Sequence, residues 1–141
     1  MATRAKLVLV IDDDPDFLEC IRIVLESAAY EVITTTTVEY GLEVMRKQKP
    51  DLAIVDIMIS YILDGLSLIR KMREDPALAG IPMLLVSAIM SINDLRELPA
   101  SPSADGFMTK PVDPADLLRE IARLIDRTQK QSEPTEEKKE E

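Results

Sequence analysis

Histidine is absent from the 141-residue chain. With it go histidine general bases, Ser/His triads and most zinc sites. Cysteine occurs once, at Cys20, so no internal disulfide can form. Its place inside a helical pattern, away from other ligand types, predicts packing rather than reactivity. Aromatic side chains are scarce: two Phe and three Tyr leave little to stack bases on. Positive charge is in deficit, with 17 Lys and Arg against 26 Asp and Glu and a net charge of −9. A phosphate-backbone binder needs the opposite balance, so no direct nucleic-acid partner is expected. No run approaches about 18 uncharged apolar residues, the length that would suggest a membrane span. The opening MATRAKLVLVIDDD lacks the apolar stretch and cleavage site of an export signal. Membrane insertion is therefore not expected, and the cytoplasm is the expected location. The chemistry left to the chain must use carboxylates, hydroxyls and lysine, with or without a hard cation.

What is present reads as one globular domain. Apolar residues make up 46% and charged residues 30% of the chain, ordinary values for a single core. Short apolar runs alternate with helical patterns throughout. LVLVI (Leu7 to Ile11), VITTT (Val32 to Thr36), LAIVD (Leu52 to Asp56), PMLLVS (Pro82 to Ser87) and GFMT (Gly106 to Thr109) predict five strands. The first, third and fourth are continuously apolar, as parallel strands covered on both faces are.

Asp14 followed by Pro15 reads as a helix cap and first helical residue, with Phe17, Ile21, Val24, Leu25 and Ala28 as the apolar stripe. Asp113 and Pro114 repeat the signature ahead of a stripe of Leu117, Leu118, Ile121, Leu124 and Ile125. Thr37 caps VEYGLEVMRKQ, and GLSLIRKMRED (Gly65 to Asp75) supplies another helix. The alternating order predicts an α/β fold, a doubly wound parallel sheet with helices on both faces. The stretch SAIMSINDLRELPASPSADGF offers only a short fourth helix around Asn93 to Leu98, broken by Pro99 and Pro102. Residues 1–127 are read as the domain, and 128–141, polar and charged, as a disordered tail. Thr34 to Thr37 read as strand and cap, and Met45, Met72 and Met83 as core filler.

In an open parallel sheet, ligands sit beyond the carboxyl ends of the strands. Four predicted strand ends carry reactive candidates: Asp12 and Asp13, Asp56, Ser87, and Thr109 with Lys110. Three consecutive acids, Asp12 to Asp14, repel one another unless something positive joins them. Asp14 is accounted for as a helix cap. Asp56 closes an apolar run and needs a partner once desolvated. Asp13 and Asp56, steadied by Asp12, suit Mg²⁺, which prefers oxygen ligands. A carboxylate can also attack phosphorus to give an aspartyl phosphate, with a cation and lysine offsetting the charge.

Taken in order, VLVIDDDP, DLAIVDIM, DG at Asp64 and Gly65, MLLVSA and FMTKP give the chain a resemblance, from about Lys6 to Arg127, to the CheY-like receiver domain of two-component response regulators. The resemblance implies the flavodoxin-like strand order 2-1-3-4-5. It implies Asp56 as phosphoacceptor, with Lys110 and Ser87 completing the catalytic set. Mg²⁺ would be held by Asp12, Asp13, Asp56 and the backbone carbonyl of Met58. Ser87 and Phe107 would be the switch pair, and the Lys110–Pro111 peptide would be cis. A sensor histidine kinase or histidine phosphotransfer protein would be the donor, a downstream protein the target, and homodimerisation is left open. No turnover of a separate substrate is implied, so the chain is not expected to be an enzyme.

Three departures are visible. The loop DIMISYILDG is one residue longer than the family's usual pattern, with Ser60 or a neighbour where proline is expected. Tyr61, Ile62 and Leu63 within it are apolar and are expected to tuck onto the domain. The fourth helix departs too, in the region that with strand five and the last helix commonly passes on the family's signal. No output domain follows Arg127 in the sequence, so a stand-alone regulator or phosphorelay intermediate is expected unless the chain is a fragment.

Two rival readings exist. One is a pseudo-receiver, unphosphorylated and docking constitutively; retention of all five site residues weighs against it. The other is a haloacid-dehalogenase-type phosphatase, whose D-x-D start DDDPD loosely imitates. Those enzymes place further acids after their lysine, whereas here Lys110 comes last.

Overall fold

A computed structural model describes residues 5–56, 70–87 and 105–132. Five strands, β1 (Leu7–Ile11), β2 (Glu31–Thr35), β3 (Leu52–Val55), β4 (Met83–Ser87) and β5 (Gly106–Thr109), form one sheet in the order β2-β1-β3-β4-β5. Every pairing is parallel, the flavodoxin-like arrangement. Parallel neighbours require crossovers, and the helices that supply them cover both faces.

Every residue of β1, β3 and β4 is buried, and alternate side chains divide between two clusters. Leu9, Ile11, Val55 and Leu85 pack with Leu42 and Met45 of helix α2 (Val38–Gln48) and with Met72 of a helical stretch at 70–74. Val8, Val10, Ile54 and Val86 pack with Leu18, Ile21 and Leu25 of helix α1 (Pro15–Ser27) and with Leu117, Ile121 and Leu124 of the C-terminal helix (Pro114–Ser132). Each such side chain contributes about 1.5–3 kcal/mol when fully buried.

Local chemistry sets the helix ends. Asp14 caps α1 by accepting from the Asp16 amide, with Pro15 at the first helical position. Thr37 caps α2 in the same way, accepting from the Tyr40 amide. Asp113 accepts from the Asp116 amide at the start of the C-terminal helix. At the far end of α1, Ala29 takes a left-handed φ of 70°. The amides of Ala29 and Tyr30 return to the carbonyls of Glu26 and Leu25, the bond pair of a Schellman ending. Gly41 lets α2 approach the sheet, since a Cβ there would clash with Cδ1 of Ile11.

Two expectations for α1 are corrected. The buried positions of α1 are Leu18, Ile21 and Leu25, spaced three and four apart, which turns Cys20 outward; it is exposed rather than packed. Ala28 follows the last helical residue and is exposed. Strand β2 begins at Glu31, a residue earlier than expected, because the Glu31 amide donates to the Lys6 carbonyl. The C-terminal helix runs past Arg127 to Ser132. The expected fourth helix, the lengthened loop with Tyr61 to Leu63, and the tail from 133 lie outside the described residues. Among the described residues no helix is long and apolar enough to cross a membrane.

Candidate functional site

Parallel pairing brings all five carboxyl-terminal strand ends to one edge, and the first residues beyond three of them are held there by further ladder bonds. The Asp12 amide donates to the Thr35 carbonyl at 3.1 Å, the Asp56 amide to Ile11 at 3.0 Å, and the Lys110 amide to Ser87 at 3.0 Å. Each charged side chain thus starts from backbone fixed by its neighbour strand. The backbone share of the ordering cost at these positions is therefore met by the sheet itself.

Their carboxylates converge. One oxygen each from Asp12, Asp13 and Asp56 lies within 4.8 Å of the others. Asp12 and Asp56 are 1% and 7% exposed, whereas Asp13 faces solvent. Lys110 Nζ reaches between the buried pair, 2.8 Å from Asp12 Oδ2 and 3.4 Å from Asp56 Oδ2. The other Asp12 oxygen accepts from the Asp14 amide at 2.9 Å. The ammonium also sits 4.1 Å from the centre of the Phe17 ring.

Burial pushes the Asp12 carboxyl above its ordinary value, and the Asp56 charge adds to this. The hydrogen bonds from Lys110 and the Asp14 amide only partly offset it. Burial would lower the Lys110 ammonium, yet the bond to Asp12 and the attraction of both acids outweigh it, so its pKa is raised.

Three carboxylates against one ammonium leave the cluster two units negative, the charge a divalent cation would balance. The donors are all hard oxygens, the type Mg²⁺ prefers, and oxygens around one such ion stand about 2.9 Å apart when adjacent and about 4.2 Å when opposite. Three such oxygens within 4.8 Å of one another form a donor set of the chemical kind that suits the ion. Ser87 is fully buried at the end of β4, beside Thr109 in register. Phe107 is half-buried on β5 against the cluster containing Leu9 and Leu85. The Lys110–Pro111 peptide is cis. Met58 lies outside the described residues.

Phe17 is the neighbour that sequence reasoning placed only in a core stripe. The available signal was positional: α1 starts directly beyond β1, so a residue in its first turns stays near the strand ends.

Comparison with known proteins gives a consistent result. The chain is 33% identical over 121 residues to the DNA-binding dual master transcriptional regulator RpaA of Synechocystis, covering 86% of this chain and 49% of that protein. It spans about half the length of the first curated relatives it matches. An uncharacterised 14.6 kDa protein of Leptolyngbya boryana is 31% identical over 120 residues, and there the match covers 84% of this chain and 90% of the relative. Among solved structures, a CheY-like receiver domain protein from Methanospirillum hungatei superposes with a TM-score of 0.79 at 29% identity, over 92% of this chain and all of that one. Residues 8–122 match the family described as the response regulator receiver domain, and to that family of two-component signalling proteins the chain belongs.

Proposed function

We propose that the chain is a phosphoacceptor switch in which Asp56 takes a phosphoryl group from the phosphohistidine of a sensor histidine kinase or histidine phosphotransfer protein. The observation that carries this reading is the placement of Lys110 Nζ between two buried carboxylates, one of them Asp56 at 3.4 Å. An Asp56 oxygen forms the new bond to phosphorus as the bond to the donor imidazole nitrogen breaks, and the electron pair leaves with that nitrogen. Lys110 then donates to a phosphoryl oxygen, and the Ser87 hydroxyl adds a second donor. Asp12, Asp13 and Asp56, with the Met58 carbonyl, would hold Mg²⁺, which when bound would neutralise charge on the transferring group.

A new dianionic group at Asp56 draws Ser87 and Lys110 toward it, and Phe107 turns inward, which changes the surface presented to a downstream protein. Homodimerisation is one form such contact can take. Direct nucleic-acid binding, membrane insertion and turnover of a separate substrate have no part in the reading, and the expected location is the cytoplasm. The reading is tested with beryllium trifluoride and Mg²⁺, a phosphoryl mimic. Amide resonances around Asp56, Ser87 and Lys110 should shift together. A spectrum that does not respond would favour a constitutive docking module.

A further inference from the structure

The contact between Lys110 and Phe17 is absorbed by neither the fold nor the proposed chemistry. Phe17 lies in the first turns of α1, half-buried against the cluster that contains Val10 and Leu18. Its ring centre is 4.1 Å from Lys110 Nζ, well inside the distance of about 6 Å at which a ring face attracts a cation. The Lys110 side chain is 18% exposed, so this attraction acts in a partly desolvated setting, where it is stronger.

A lysine ammonium is a point charge on a flexible four-carbon stem, with three donors to direct. Two acceptors, Asp12 Oδ2 and Asp56 Oδ2, lie within reach of it, and the ring face lies 4.1 Å away. A polar residue at position 17 would compete for a donor, and an aliphatic one would cover the stem without attracting the charge. An aromatic face attracts without directional demand, so the ammonium is held near Asp56 yet free to turn toward a new oxygen.

The geometry points to Phe17 as a positioning residue that holds the Lys110 ammonium in place for phosphoryl transfer at Asp56. This rests on the reading of Asp56 as phosphoacceptor and adds to it a residue that touches neither metal nor phosphate. The test uses the full chain with 4-fluoro-, 3,5-difluoro- and 3,4,5-trifluorophenylalanine placed at position 17, together with Phe17→Tyr and Phe17→Leu. Fluorination drains the ring face with little change in shape. With acetyl phosphate and Mg²⁺, the rate of Asp56 labelling should fall stepwise along the fluorinated series, by about two- to tenfold overall. Phe17→Leu should show the full loss, and Phe17→Tyr should stay within about twofold of the unsubstituted chain.

The Lys110 ε-methylene resonances, read without any phosphodonor, should be shifted upfield by the ring, keep that position in Phe17→Tyr and lose it in Phe17→Leu. A rate indifferent to fluorination, or Lys110 resonances unmoved by Phe17→Leu, overturns the inference. If the unsubstituted chain takes no label at Asp56, the proposed function fails and the positioning role in transfer falls with it. Labelling that proceeds at an unchanged rate through the series removes the role of Phe17 alone.

Discussion

Lys110 Nζ and Asp12 Oδ2 stand 2.8 Å apart although their residues are 98 positions apart in the chain. The pair joins the ends of β1 and β5, two strands separated in the sheet by β3 and β4. It therefore depends on the whole sheet being correctly wound. Asp12 is 1% exposed, and a buried charge without its partner is strongly destabilising.

The negative cluster should make the fold respond to divalent cations. Mg²⁺ added to the chain should raise its melting temperature in proportion to the logarithm of concentration above the dissociation constant. Asp13→Asn should remove most of that rise while leaving the metal-free stability within about 0.5 kcal/mol, because surface substitutions cost little and Asp13 is exposed. Calorimetry with and without Mg²⁺ checks both. A full metal-induced rise in Asp13→Asn would take that residue out of the binding set.

Stability should also depend on pH through the same pair. The Asp12 pKa is raised in the fold above 3.8, first by burial and then by Asp56. The native state therefore holds a proton that the unfolded chain has lost, and stability falls as pH rises from 3.8 through the raised value. Lys110 acts in the other range. Its pKa is raised above 10.5, so its contribution is complete below 10.5 and disappears as pH climbs through the folded value. Urea midpoints measured across pH without metal should show both slopes, and Asp12→Asn should flatten the acid one.

Gly41 and Ile11 should behave as a coupled pair. Alanine at 41 gains about 1 kcal/mol in helix propensity, but its methyl would clash with Ile11 Cδ1, and overpacking costs about 1–3 kcal/mol. Gly41→Ala should be a net loss. Ile11→Val removes the offending carbon, so the double variant should be more stable than the sum of the single effects. Additive effects in a double-mutant cycle would contradict the close approach of α2 to β1.

Much of this architecture is legible in the sequence. Strands buried on both faces announce themselves as unbroken apolar runs, as LVLVI does for β1, and the half-buried edge strand β5 also matches GFMT residue for residue. Because parallel strands end at one edge, the gathering of Asp12, Asp13, Asp56 and Lys110 followed from their positions after those runs. Strand β2 was displaced by one residue because Glu31 pairs with Leu7 across the ladder, a long-range fact that its own polarity hides. Cys20 points to solvent although its position in the helix allows packing, because contact with the sheet selects the face that carries Leu18, Ile21 and Leu25. The left-handed Ala29 had no glycine to signal it. Phe17 looked like any core position, since a contact with a lysine 93 residues later leaves no local mark.

The central claim is that Asp56 accepts the phosphoryl group, and intact-mass spectrometry after treatment with acetyl phosphate and Mg²⁺ tests it most directly. The wild-type chain should gain the mass of one phosphoryl group, lost again on mild alkaline hydrolysis as an acyl phosphate is, while Asp56→Asn should gain none. A phosphoryl adduct on Asp56→Asn, or an unlabelled wild type, would contradict the account.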